Sequence, residues 1–164
     1  MPAGNTYESI ATQTLGSAAA TVTFSSIPGT YTDLVLVSAG SNSALNDIKL
    51  RFNSDTGNNY SETLLLGSGS SAITARGSNI SGLVHNYTDS SIASATTNIL
   101  NYSNSTTNKT TLTRWNATSS SDPYVAAYVG LWRNTAAITS ITVFVASGTM
   151  YTGSTFSLYG IKAA

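Results

Sequence analysis

The chain has 164 residues with seven Lys and Arg against seven Asp and Glu, and only 9% of it is charged, where an ordinary soluble domain carries about 25%. So neutral a surface has no field for tracking phosphates, which excludes nucleic-acid binding through charge, and an acidic solvating tail is excluded with it. Polarity comes instead from 26 Ser, 25 Thr and 14 Asn, while 41% hydrophobic residues and nine Tyr give enough apolar surface to order one domain. With no Cys, disulfide, thiolate and Cys-ligated zinc chemistry are all excluded. No apolar run approaches the roughly 20 residues of a spanning helix. The start, Met1-Pro2-Ala3-Gly4-Asn5, lacks the basic and apolar regions of a signal peptide. The expectation is a soluble chain that is neither exported by its own leader nor inserted in a membrane.

Two-residue alternation, the mark of strands with one buried and one wet face, runs through almost the whole chain. Residues 1–6 read as a leader or inter-subunit arm, and 7–164 as a single β-sandwich domain. The first strand candidate is 7–15. Next, Ala20, Val22 and Phe24 alternate with Thr21 and Thr23. After the turn Ile27-Pro28-Gly29-Thr30 come 34–37 and 48–52, where Ile48, Leu50 and Phe52 alternate with Lys49 and Arg51. Further candidates at 60–66, 83–87, 99–102, 112–115, 124–132, 138–145 and 156–161 are rich in β-branched and aromatic residues and bounded by Gly, Asn, Ser or Pro. Residues 90–121 are the most loop-like stretch, and Asn134-Thr135-Ala136-Ala137, the one place a helix turn fits, reads as a connector. Many short strands with no helical stripe predict an all-β fold, a two-sheet antiparallel β-sandwich of jelly-roll type, with a closed barrel as the alternative.

The chemistry available is sparse. His85 is the single histidine, and the Gly-x-Ser-x-Gly nucleophile elbow does not occur. The acids Glu8, Asp33, Asp47, Asp55, Glu62, Asp89 and Asp122 are scattered, and no spacing pairs two of them as glycoside hydrolysis requires. They read as turn caps. The loop Asn53-Ser54-Asp55-Thr56-Gly57-Asn58-Asn59 is similar to a short calcium loop, but one carboxylate is too few and an Asx-capped hairpin turn is the better reading. Gly67-Ser68-Gly69-Ser70-Ser71 lacks the Lys and helix of a phosphate loop. Seven Asn-x-Ser/Thr sequons are present, little more than a Ser- and Thr-rich composition yields by chance. The rings of Tyr87, Tyr102, Trp115, Trp132 and Tyr151 are the candidates for stacking on a sugar or a partner, Tyr87, Tyr102, Trp115 and Tyr151 foremost. No catalytic, metal or cofactor residues are assigned.

Several stretches together resemble small virion surface proteins of tailed bacteriophages. They are residues 50–61 followed by Gly67 to Ser71 and Arg76-Gly77-Ser78, then 131–141, Ala146-Ser147-Gly148 and the closing Phe156-Ser157-Leu158-Tyr159-Gly160-Ile161-Lys162. The opening Tyr7-Glu8-Ser9-Ile10-Ala11 and residues 27–34 are similar as well. The resemblance implies a non-enzymatic protein of the outer particle surface, made in the host cytoplasm, and carries no catalytic residues. Its two expected forms are a capsid decoration or cement protein, a homotrimer resting on the major capsid protein or other virion proteins, and a tail-fibre or tailspike module that binds host surface glycan. A polysaccharide depolymerase resting on Asp55 or Glu62 is the third and weakest reading.

Overall fold

The computed structural model describes residues 6–118 and 123–162. Twelve strands are present: β1 (Tyr7–Thr14), β2 (Thr21–Phe24), β3 (Asp33–Gly40), β4 (Asn46–Phe52), β5 (Tyr60–Gly67), β6 (Ala72–Ile80), β7 (Leu83–Thr88), β8 (Ala93–Leu100), β9 (Lys109–Thr118), β10 (Pro123–Trp132), β11 (Ile141–Val145) and β12 (Thr155–Ile161). They form an eight-stranded antiparallel sheet in the order β1-β12-β3-β8-β9-β10-β5-β6 and a four-stranded one in the order β2-β11-β4-β7.

Without the hairpins β5–β6 and β9–β10, the chain steps from one sheet to the other at every strand except from β4 to β7, which pair within the small sheet. The remaining orders, β1-β12-β3-β8 and β2-β11-β4-β7, are the paired sheets of a jelly roll. Both hairpins join the large sheet beyond β8, so β10, β5 and β6 overhang the smaller sheet, whose edge strand is β7. The two open sheets rule out the closed barrel.

Alternation explains the main core. Val22 and Phe24 of β2, Ile48, Leu50 and Phe52 of β4 and Ile141 and Val143 of β11 face Leu34, Leu36, Ile99, Phe156 and Leu158 of the large sheet, all buried. At the root of the overhang, Phe52 lies against Trp132 with ring centroids 5.6 Å apart, and Tyr60 stacks on Trp132 at 6.3 Å. These rings fasten the first inserted hairpin to the sandwich. A second, smaller core of Val84, Ala95, Trp115, Ala126 and Tyr128 fills the angle between β7 and the overhang, with Leu64, Leu66, Tyr87 and Tyr124 at its margin. A Cβ at Gly130 would meet Thr111 Oγ1 and fall 2.8 Å from Leu83 Cδ1, so a larger residue there must displace both side chains.

Three strands depart from the sequence reading. β6 was not expected, because its residues are exposed or half-buried on both sides and so leave no one-faced pattern. β8 and β9 occupy most of the stretch that reads as loop. Apart from Trp115, the facing inward positions hold small or hydroxyl side chains, Ala93, Ala95 and Thr97 opposite Ala117, Trp115 and Thr113, which pack a sheet without looking apolar. The connector at 134–137 is a loop, and the strand expected over 138–145 begins at Ile141.

Candidate functional site

The aromatic candidates separate by burial. Tyr102 is 0% exposed; its hydroxyl donates to the Pro28 carbonyl and accepts from Tyr31 N, and its own carbonyl accepts from Ile138 N, so it pins three loops together. Trp132 is as deep, its indole N–H donating to Asp55 Oδ2 at 2.8 Å. Trp115 lies in the second core under Tyr87, ring centroids 6.3 Å apart, and its buried Nε1 has no hydrogen-bond partner. Tyr102 and Trp115 therefore present no ring face to a sugar, a correction with a plain cause: sequence alternation does not distinguish a ring that faces the other sheet from one that faces water. Tyr87 is half-buried and Tyr151 is 39% exposed, on the loop after β11.

His85 is fully buried where the pairing of β7 with β4 slips by one residue. Its Nε2 lies 2.8 Å from Ser38 Oγ and its Nδ1 2.8 Å from Thr97 Oγ1, which continues to Thr113 Oγ1 at 2.7 Å. A serine beside an imidazole suggests a nucleophile, but the third group is a threonine and not a carboxylate. All four side chains are buried, and burial lowers the imidazole pKa to about 3, too weak a base for that work. The chain of hydroxyls ties the small sheet to β3, β8 and β9.

The carboxylates cap backbone and side-chain donors. Asp55 accepts from Gly57 N, Asn59 Nδ2 and Trp132 Nε1, and these hydrogen bonds hold its pKa low against the opposing pull of burial. A carboxylate ringed by N–H groups is the reverse of a cation site. Asn53, at φ 50°, sews the same loop to Thr139 N and Ala137 O. Glu62 accepts from Val84 N at 2.8 Å, closing an amide on the edge of β7, and burial pushes its pKa up. Asp33 and Asp89 accept from Asn101 N and Ser91 N. Among the described residues no three His, Asp or Glu side chains are placed to hold a metal ion, and no helix is long and apolar enough to cross a membrane.

The feature that sequence reading missed is the outer face of the large sheet. On β10, Ala126, Tyr128, Gly130 and Trp132 point inward, so Val125, Ala127, Val129 and Leu131 point out. Val125 is 64% exposed, Val129 60% and neighbouring Leu65 57%, with Leu112 also open. Three recesses open on this face, the largest about 390 Å³ and lined by Leu65, Gly67, Ala72, Arg114, Val125 and Ala127. Both phases of β10 are apolar, Val and Leu on one side and Tyr and Trp on the other, so periodicity alone does not say which faces water.

Fold and surface together define a jelly-roll β-sandwich whose open feature is an aliphatic sheet face. No protein-family model matches the chain, and no curated protein is similar to it.

Proposed function

We propose that this chain is a non-enzymatic structural protein of a phage particle surface, a decoration protein that assembles with copies of itself, as a trimer, and rests on the capsid lattice. The observation that carries the self-assembly is the aliphatic face of the large sheet, since contiguous exposed apolar surface on this scale marks a contact face. The place on the virion rests on the resemblance in sequence. A surface poor in long charged side chains supports the reading, because such surfaces meet with little charge desolvation or loss of rotamer freedom.

Reconstruction of the particle by cryo-electron microscopy, with this chain's density located, tests it. Density at threefold positions on the head, contacting the major capsid protein, is expected; density on the tail overturns it. In that case the second reading takes over, a tail-fibre module binding host glycan, for which one observation speaks. Tyr87 and Tyr124 stand half-exposed beside the unpartnered indole N–H of Trp115.

A further inference from the structure

The face and its complement lie on different parts of the chain. Over the outer face of β8, β9, β10, β5 and β6 the pairing registers leave Arg76 and Arg114 as the charged positions, both exposed, with no carboxylate among the described residues. Packing this face against its own copy buries guanidinium against guanidinium without compensation, which is costly. The chain is neutral overall, so with these two cations set aside five remain against seven acids. A surface that seats on these guanidiniums must bring a carboxylate, and the described carboxylates of this chain all lie off the face.

One end of the sandwich has the required shape and charge. Three loops are tied together there, Asn42 N donating to Asp89 O at 2.7 Å, Ser43 N to Thr149 O at 2.9 Å and Tyr151 N to Ser41 O at 3.0 Å. From this end project Ile92, 71% exposed, Leu45, 59% exposed, and Tyr151. Asp89 stands beside them, bonded to Ser91 N, while nearby Asp47 is already paired with Lys49. Protruding aliphatics around a carboxylate match recesses lined by aliphatics around Arg114.

Resting on the self-assembly reading above, we infer that the loop end of one copy, with Ile92, Leu45 and Asp89, seats on the outer face of the next copy's large sheet, Asp89 against Arg114. Such a head-to-side contact joins two different patches, so it closes into a ring when the rotation allows.

The test is the self-association constant of the full chain by sedimentation, for wild type, Arg114→Asp, Asp89→Asn and the exchanged pair Arg114→Asp with Asp89→Arg. Asp89→Asn keeps the oxygen that caps Ser91 N and so keeps the turn. Each single variant is expected to weaken association about tenfold, and the exchange to recover most of that loss. If wild type assembles while the single variants associate equally well, or the exchanged pair stays as weak as Arg114→Asp, this interface is wrong and the assembly reading survives. A wild type that is monomeric at every concentration overturns both.

Discussion

The two outer faces of the sandwich solve the same problem in opposite ways. On the small sheet, Arg51 lies 3.9 Å over the Phe144 ring and donates to Ser81 O, Lys49 pairs with Asp47, and Thr23 meets Thr142. Nearly every outward side chain there has a partner within its own chain. On the large sheet, Val125, Val129, Leu65 and Leu112 stand open, with Arg114 among them. A face that satisfies itself is finished as a monomer surface, whereas an open aliphatic face is one that a second surface completes. The inserted hairpins supply most of that open face, while their inward side chains, Tyr60, Trp115, Tyr128 and Trp132, build core.

Substitutions on the two faces separate folding from association. The largest effect on folding belongs to the interior. Trp132→Ala removes the ring that joins Phe52, Tyr60 and Asp55 and is expected to cost about 3–5 kcal/mol in chemical denaturation, enough to loosen the overhang from the sandwich. Acid comes next. Folded His85 titrates near 3 against an ordinary 6.5, so the unfolded chain binds its proton first. The stability that comes from keeping His85 neutral is whole above pH about 6.5 and falls, on the order of 1 kcal/mol per pH unit, as the pH drops toward 3. His85→Gln should flatten that slope in denaturation curves taken across the same range, and an unchanged slope would assign it to other groups. Arg51→Ala, on the finished face, is expected to lose about 0.5–1 kcal/mol of folding stability through the ring contact and the Ser81 bond. Val129→Glu, on the open face, should change folding by less than about 0.5 kcal/mol. If Arg51→Ala is silent in folding and Val129→Glu is not, the comparison between the faces fails.

How much of this was legible in the sequence depended on whether a strand has one wet side. β2 and β4 could be read residue by residue, because Thr21 and Thr23, or Lys49 and Arg51, alternate with apolar neighbours. β6 could not, since neither of its sides is buried, and β8 was hidden by the small inward residues Ala93, Ala95 and Thr97. The jelly-roll order itself is a matter of which distant strands pair, β1 with β12 or β3 with β8, and no local pattern encodes that. The rings show the same limit. Tyr102 and Trp115 were candidates for stacking on a sugar or a partner, yet each turns into a core. The candidate contact face was hidden for the converse reason, because Val125 and Val129 on an apolar strand look like core.

We propose that the outer face of the large sheet, and not that of the small sheet, is where this chain meets its partners. Sedimentation velocity of wild type, Val129→Glu and, as the control on the finished face, Thr23→Glu tests it most directly. Wild type and Thr23→Glu are expected to form the same assembly while Val129→Glu sediments as a folded monomer. Identical assembly by all three, or its loss in Thr23→Glu alone, would contradict it.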